Sequence, residues 1–427
     1  VVSDKSWKMY EDGPVRMADN FLGETQDARK AVLGWDRPGF DDKKWQKVYT
    51  GADFKGELVA QMNEPIRVVE EITPIAVTEP QPGVYIFDLG QNIAGWCRIR
   101  LDGPAGQKVV LRHGEMLNLD GSIYMENLKS AIQTDAYILD GKGEQTFEPH
   151  FTYHGFRYIE VTGLESMPTK NILTGVAFSS DAPTTGDFAC SNPMLNKLYS
   201  NIVWGQRGNL HSVPTDCPQR DERMGWMGDA LVFAQTSIFN SNMAAFWSKF
   251  TEDIRDAQTK DGRYPDFAPQ PFEPERHFSD APGWADAGII VPWRIYQNYG
   301  DKRILAEHYE SAKKFVENIR QNNPNFLWEN PKGNHYSDWL NGNTIHAKGY
   351  PENGAQIPFV LFSSTYYAYS TSILAKMATI LGKTVDAAFY SDLVKTIHSA
   401  ILEQFVKDNA VIEGETQAGY AMALYFD

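Results

Sequence analysis

The chain has 427 residues, a length that predicts two to four domains. Its net charge of −15 argues against a nucleic-acid partner, and no apolar run approaches the roughly 18 residues of a membrane span. The three cysteines, Cys97, Cys190 and Cys217, are widely spaced, so they predict buried thiols rather than a disulfide framework or a metal site.

Residues 1 to 184 have the pattern of antiparallel β-sandwiches, in which short β-branched and aromatic runs alternate with turn residues. The clearest runs lie at 84–87, 97–101, 109–112 and 158–162. A proline-containing stretch near residues 66–82 interrupts the periodicity. We therefore predict a partial, carbohydrate-binding-like β-sandwich over residues 1–70 and a second β-sandwich over 71–184.

The pattern changes to helices after residue 190. Ser191 or Asn192 can cap a helix that opens on a proline, a residue favoured in the first turn. Apolar residues then recur at helical spacing over 304–319, and in steps of four over 389–405. Residues 185–427 are therefore predicted to form a helical domain.

The segment 216–229, called the acidic segment below, reads Asp-Cys-Pro-Gln-Arg-Asp-Glu-Arg-Met-Gly-Trp-Met-Gly-Asp. Its four carboxylates repel one another unless arginines or a ligand compensate. A solvated helix start would accept acids, but it would not explain the interleaved tryptophan, glycines and proline. Glycosidases need one protonated carboxylic acid for the leaving oxygen and a second carboxylate for water or the sugar. Crowded like charges and an aromatic neighbour keep such an acid protonated. The segment therefore favours a sugar-cleaving site.

The acidic segment closely resembles the core motif of bacterial α-L-rhamnosidases, glycoside hydrolase family 78. Further motifs similar to that family lie at 23–29, 41–45, 87–96, 154–158, 282–286 and 337–340. The resemblance implies a multidomain β plus α protein, in which antiparallel β-sandwich domains precede an (α/α)6 barrel catalytic domain over 185–427. The barrel is expected to be incomplete at its C-terminal end, and the first sandwich to lack its start.

The resemblance also implies roles for individual residues and no cofactor or metal. Glu222 corresponds to the general acid. The residues expected to bind the hydroxyls of rhamnose are Asp216, Arg220 and Asp229. Those expected to surround the sugar with indole rings are Trp226, Trp284 and Trp339, each with a purely structural core role as the alternative. Asp286 and Asp338 are expected to line the pocket.

The resemblance breaks at the general base. The family inverts configuration and takes its base from a Thr-Thr-Ile-Trp-Glu-like motif late in the barrel, and that motif does not occur here. Trp328-Glu329 is the only Trp-Glu pair, and it precedes Asp338 rather than following it. We therefore expect the base to lie outside residues 1–427, in a longer protein of which this chain is a middle piece.

The predicted function is the removal of terminal α-L-rhamnose from glycosides or polysaccharides by an inverting mechanism. Two alternatives stay open: a glycosidase of the same fold that acts on another sugar, and a carbohydrate-binding protein without catalysis. The expected partner is a rhamnose-containing glycoside or polysaccharide, with no nucleic acid and no membrane. A homodimer is a candidate assembly, and the compartment is undetermined, with a lean towards the periplasm or secretion from a bacterium.

Overall fold

The structure is a computed structural model that describes residues 4–51, 56–273, 278–341, 356–407 and 410–426. The strands are β1 (Lys8–Met9), β2 (Val15–Asp19), β3 (Gly23–Asp27), β4 (Gln46–Lys47), β5 (Ile66–Ile72), β6 (Ala76–Gln81), β7 (Val84–Leu101), β8 (Lys108–Gly114), β9 (Met116–Leu117), β10 (Ile123–Tyr124), β11 (Thr134–Ile138), β12 (Gln145–Phe147), β13 (His154–Thr162), β14 (Leu173–Ser180), β15 (Val406–Lys407) and β16 (Val411–Ile412). The helices are α1 (Pro193–Gly208), α2 (Met227–Asn240), α3 (Ala244–Asp256), α4 (Ala287–Tyr299), α5 (Lys302–Asn322), α6 (Phe359–Ile380), α7 (Thr384–Phe405) and α8 (Gln417–Tyr425). Within these ranges, no helix combines the length and the apolar character that crossing a lipid bilayer requires.

Most of the strands belong to one ten-stranded sheet, which curls around an apolar core. Its order is β2-β3-β11-β8-β13-β7-β14-β5, and β6 and β12 also pair with β7. The 18-residue strand β7 pairs with β13 and β6 through its first part, and with β14 and β12 through its second part. The predicted runs at 84–87 and 97–101 therefore belong to a single strand.

The sheet extends across the domain boundary that the sequence predicts near residue 70. Strand β3, from the first 27 residues, pairs in parallel with β11, and β2 pairs with β3. The described strands of both predicted β-sandwiches thus share one hydrogen-bonded sheet. The division into domains over 1–70 and 71–184 stays a prediction.

Polar residues, some of them fully buried, connect strands of this sheet. Arg157 on β13 donates two hydrogen bonds of 2.8 Å to Asp88 on β7. His154 Nε2 lies 3.1 Å from both carboxylate oxygens of Asp135. The His113 ring stacks on His154 with centroids 4.2 Å apart, and burial lowers the pKa of His113 to about 3, so that ring is neutral. These contacts join strands of the sheet, so the residues of the 154–158 motif have a structural role.

The helical part begins as the sequence predicts. The Asn192 side chain accepts a 2.9 Å hydrogen bond from the Met194 amide, and Pro193 opens α1. The apolar stripe over 304–319 is buried on α5, which packs between α4 and α6. On α7 the predicted stripe buries Leu393, Ile397 and Phe405, whereas Phe389 is 47% exposed. Helices α2 to α7 surround a second core, and the (α/α)6 barrel stays a prediction.

The cysteine prediction holds for two of the three thiols. Cys97 and Cys217 are buried and free. Cys190 is free but exposed, so the prediction of a buried thiol is wrong for this residue. The physical reason is its position in the irregular segment before α1, where its Sγ lies 3.6 Å from the carbonyl oxygen of Asn192.

Candidate active site

The acidic segment forms a loop between the sheet and helix α2. Asp216 closes this loop, because its amide donates to the Met224 carbonyl at 3.1 Å and its Oδ1 accepts from the Met224 amide at 3.0 Å. The loop packs closely on β13, where a Cβ on Gly155 would lie 2.8 Å from Pro218 Cγ. The segment is thus held in shape by its own backbone and by the sheet.

Asp221 and Arg223, the residues on either side of Glu222, attach this loop to the part of the chain that forms the sheet. The Asp221 carboxylate accepts hydrogen bonds from the amide, at 3.1 Å, and the hydroxyl of Ser130. The Arg223 guanidinium is 9% exposed and donates to the carbonyl oxygens of Asn20 at 2.6 Å and Tyr153 at 2.7 Å. The flanking side chains are therefore engaged by the sheet, and Glu222 between them belongs to a different group of charges.

Glu222 lies in an ion cluster with Arg220 and Asp216. Arg220 Nε lies 2.9 Å from Glu222 Oε2, and Arg220 Nη2 lies 3.2 Å from Asp216 Oδ2. The side chain of Asp216 is 6% exposed and that of Glu222 is 22% exposed, so Glu222 is the more accessible carboxylate of the two. One arginine thus holds two carboxylates at fixed positions.

Two carboxylates in or beside this cluster carry raised pKa values. Desolvation in the cavity wall, followed by the charge of Asp216, raises the pKa of Asp229 to about 6, although Asp229 is an exposed residue. Burial also raises the pKa of Asp216, and the charge of Glu222 acts in the same direction. Asp229 therefore keeps its proton to a higher pH than an ordinary aspartate, and carboxylates with raised pKa values are common at catalytic sites.

A cavity of about 630 Å³ opens beside the cluster. Four of the predicted site residues line it: Asp216, Asp229, Trp284 and Trp339. Helices α1, α2 and α6 supply much of the remaining wall. The volume lies within the range of about 300–1,000 Å³ that small-molecule sites occupy.

The three predicted tryptophans converge on a tyrosine that the sequence did not single out. The ring of Tyr336 lies 6.0 Å from Trp226, 4.6 Å from Trp284 and 5.9 Å from Trp339, measured between centroids. Its hydroxyl donates to buried Asp266 at 3.0 Å, and burial raises the pKa of Asp266 to about 6. The structure thus assembles an aromatic group of four rings, whose members come from three separate segments.

Asp286 lies beneath this aromatic group rather than on its surface. Its carboxylate is fully buried and accepts hydrogen bonds from the Gly283 amide at 2.8 Å and from the Ser370 hydroxyl. Burial raises the pKa of Asp286 to about 6. Asp286 does not line the cavity of the described residues and instead fixes the turn that carries Trp284; a role as pocket lining stays a prediction.

Asp338 also uses its carboxylate within the protein. Its Oδ1 accepts from the amides of Gln356 at 2.8 Å and Ile357 at 3.2 Å, and its Oδ2 accepts from Asn341 at 2.9 Å. Asp338 therefore joins the turn before Trp339 to the chain that leads into α6. It does not line the cavity, and a direct contact with a sugar stays a prediction.

The family is decided by the helical part of the chain. The sequence profile of the bacterial α-L-rhamnosidase 6 hairpin glycosidase domain matches residues 183–427, more than half of the sequence. The chain belongs to the bacterial α-L-rhamnosidase family. The profiles of the family's concanavalin-like domain and of its N-terminal domain match residues 78–179 and 1–70.

Individual relatives extend this result over the whole chain. The α-L-rhamnosidase of Streptomyces avermitilis is 44% identical over 426 residues, which cover 99% of this chain and 39% of that protein. An α-L-rhamnosidase of Formosa agariphila is 36% identical over 436 residues, covering 100% of this chain and 45% of that protein. This chain therefore spans less than half the length of these relatives.

Solved structures of α-L-rhamnosidases share the fold. The crystal structure of the Streptomyces avermitilis enzyme complexed with L-rhamnose matches with a TM-score of 0.91 at 43% identity, over 100% of this chain and 40% of that one. The native enzyme of Aspergillus terreus matches with a TM-score of 0.94 at 35% identity, over 100% and 49% of the two chains. The sheet-plus-helix architecture is thus that of α-L-rhamnosidases.

In this family member, the contact between Gly228 and Trp284 offers a test of the aromatic group. A Cβ on Gly228 would lie 2.5 Å from Trp284 Cε2, so an alanine displaces the indole. We expect Gly228→Ala to lower the free energy of unfolding by about 1–3 kcal/mol, the usual cost of overpacking. The indole contacts the cavity, so in the full-length protein the KM for the rhamnoside that is proposed below as the substrate should rise more than kcat falls. Chemical denaturation and steady-state kinetics measure both effects.

The matched control for this change is Gly208→Ala on α1. There the added Cβ would meet its nearest atom at 3.9 Å, an ordinary contact, so neither stability nor KM should worsen. Equal stability and equal KM for the two variants would show that Trp284 is free to move away from α2.

Proposed function

We propose that the full-length protein carrying this chain removes terminal α-L-rhamnose from glycosides or polysaccharides. The observation that carries the proposal is the ion cluster, in which Arg220 lies 3.2 Å from Asp216 and 2.9 Å from Glu222. This cluster adjoins Asp229 and a cavity lined by indole rings. It therefore combines an accessible carboxylate that can transfer a proton with charged groups that can bind hydroxyls.

Glu222 is the proposed general acid. Asp221 is held by Ser130, and Asp216 is 6% exposed and bound to the backbone of the loop, so neither is free to meet a glycosidic oxygen. Asp229 is the competing candidate, since its pKa is raised to about 6. We assign Asp229 to the rhamnose hydroxyls instead, because the family resemblance places the acid in the Asp-Glu-Arg triplet.

The proposed reaction inverts configuration at the anomeric carbon. Glu222 protonates the leaving oxygen while water attacks the opposite face of the sugar, through an oxocarbenium-like transition state. This course requires a base carboxylate about 6.5–9.5 Å from the acid, and we assign that role to no residue of this chain. Trp328 is 1% exposed and packs in the helical core, which supports leaving the Trp328-Glu329 pair out of the mechanism.

The aromatic group supports a 6-deoxy sugar as the substrate. Trp284 and Trp339 present apolar surface to the cavity. Transfer of the methyl group of rhamnose from water to this surface is favourable in free energy. Trp226 belongs to the same aromatic group through its contact with Tyr336, although it does not itself line the cavity. We further propose that the helices form part of an (α/α)6 barrel, with β-sandwiches over 1–70 and 71–184.

The test compares three 4-nitrophenyl glycosides with the full-length protein: the α-L-rhamnoside, the α-L-mannoside and the α-L-fucoside. The α-L-mannoside differs from the rhamnoside only by a hydroxyl at C6. We expect kcat/KM for the rhamnoside to exceed that for the mannoside by about 10- to 100-fold, the discrimination that an apolar pocket can make against an added hydroxyl. NMR of the first-formed product should show the β-anomer of rhamnose.

Other outcomes of the same test distinguish the alternatives. Faster hydrolysis of the mannoside or the fucoside would identify a glycosidase of the same fold with another sugar. Rhamnose binding in calorimetry without turnover of any glycoside would identify a carbohydrate-binding protein. First formation of the α-anomer would exclude the inverting mechanism.

A further inference from the structure

The loop between β10 and β11, residues 125–133, brings a second cation to Glu222. Lys129 Nζ lies 3.6 Å from Glu222 Oε2, and the lysine side chain is 54% exposed. Arg220 contacts the same oxygen at 2.9 Å from the side of Asp216. The same carboxylate oxygen therefore contacts both Arg220 and an exposed lysine from a loop of the sheet.

Lys129 is held in this position by residues on both sides. Leu128 before it is 1% exposed and packs in the interior, and Ser130 after it donates its amide and hydroxyl to Asp221. The Gln133 amide donates to the Phe21 carbonyl at 3.0 Å, which fixes the end of the loop. Lys129 itself has a φ of +56°, a conformation that residues other than glycine rarely adopt. Such backbone persists only where the surroundings impose it, and it is enriched at ligand sites.

The general acid marks the border between the two halves of a glycoside, because it contacts the oxygen that joins them. Asp216 lines the cavity, which in the proposed function receives the rhamnose, and Arg220 contacts Asp216. Lys129 approaches Glu222 from the sheet instead. A group in that position faces the leaving group of the substrate.

We propose that Lys129 belongs to the leaving-group subsite and favours substrates whose leaving group carries a carboxylate or another anion close to the glycosidic bond. This inference rests on the proposed function. The lysine and Glu222 form a partly exposed pair at 3.6 Å, which contributes little energy and leaves the ammonium free to turn to a ligand. In the reactive complex Glu222 must carry its proton, so Lys129 then loses the anionic partner of its ion pair, while Asp221 nearby stays bound to Ser130. An anion on the leaving group replaces that neighbour.

The test uses two rhamnosides that differ only in charge: 4-carboxyphenyl α-L-rhamnoside and its methyl ester. The measured quantity is the ratio of kcat/KM for the acid to kcat/KM for the ester, because intrinsic leaving-group ability cancels when variants are compared. We expect Lys129→Met in the full-length protein to lower this ratio by about two- to fivefold, the size of an exposed ion pair. Lys129→Glu should lower it further, and Lys129→Arg should keep it.

Two controls separate this role from a structural one. Lys142→Met removes a lysine that is paired with Asp140 on another turn of the sheet, and it should leave the ratio unchanged. Raising the salt concentration should weaken the preference of the unaltered protein for the acid and have no such effect on Lys129→Met. Thermal unfolding should be alike for all variants, since residue 129 is largely exposed.

The results test the role of Lys129 separately from the proposed rhamnosidase function. A ratio that stays constant in Lys129→Met and Lys129→Glu, while the ester is hydrolysed, overturns the role of Lys129 alone. Failure of the unaltered full-length protein to hydrolyse the ester overturns the proposed function instead.

Discussion

Glu222→Gln in the full-length protein is expected to lower kcat/KM for a natural rhamnoside by at least about a hundredfold, the usual contribution of a general acid. The substitution keeps the size of the side chain and its position beside Arg220, which lies 2.9 Å from Oε2, but removes the transferable proton. A 2,4-dinitrophenyl rhamnoside should lose much less, because such a good leaving group departs without protonation. Steady-state kinetics with both substrates measures the difference.

Two matched changes accompany this experiment. Glu329→Gln alters the exposed glutamate of the only Trp-Glu pair, and it should leave both rates within about twofold, as expected of a surface site. Asp229→Asn tests the competing candidate for the general acid. It should raise KM and lower the rate of hydrolysis of both substrates to the same extent. Near-normal hydrolysis of the natural rhamnoside by Glu222→Gln, together with a leaving-group-dependent loss in Asp229→Asn, would transfer the acid role to Asp229.

Arg223→Met is expected to lower both stability and turnover. The buried guanidinium donates to the carbonyl oxygens of Asn20 and Tyr153 at 2.6 and 2.7 Å, and methionine removes both of these charged donors. A hydrogen bond that involves a charged group contributes about 1.5–3 kcal/mol, so we expect a loss of about 3–5 kcal/mol in the free energy of unfolding. The loop that carries Glu222 also loses its attachment, and kcat should fall by more than about tenfold, since small misplacements of catalytic groups are costly.

Arg100→Met is the control for this variant. Arg100 donates to the Asn171 carbonyl at 2.8 Å on the exposed side of the sheet, where water replaces the lost donor. Its stability should change by less than about 0.5 kcal/mol. Unfolding in urea measures the stability of both variants, and rhamnoside kinetics on the folded proteins measures kcat. An Arg223→Met protein as stable and active as Arg100→Met would refute the anchoring role of Arg223.

Local features of the structure follow well from the sequence. The cap at Asn192 and the apolar periodicity of α5 depend on residues a few positions apart, and both are confirmed. The strand runs are confirmed for the same reason, although two of them join into β7. The parallel pairing of β3 with β11 joins residues more than a hundred positions apart. A pattern of neighbouring residues cannot predict such a distant pairing.

The site shows the same division between local chemistry and distant packing. The carboxylates and arginines of the acidic segment are visible in the sequence. The structure places Asp216, Arg220 and Glu222 within ion-pair distance of one another. The sequence could not show that Asp286 is fully buried against Ser370, since a carboxylate that braces a turn and one that binds a sugar look the same in a sequence. The position of Tyr336 in the site could not be predicted, because it depends on contacts with Trp226 and Trp284, which lie in other segments of the chain.

The attachment of the acidic segment to the sheet makes the position of Glu222 depend on residues far away in the sequence. The contact from Arg223 to Asn20 spans 203 positions, and that from Ser130 to Asp221 spans 91. Closing such distances is entropically costly, and contacts of this kind slow folding. A chain whose sheet is incomplete has no partners for Asp221 and Arg223. The loop that carries Glu222 is therefore held in place only when the distant parts of the chain have met.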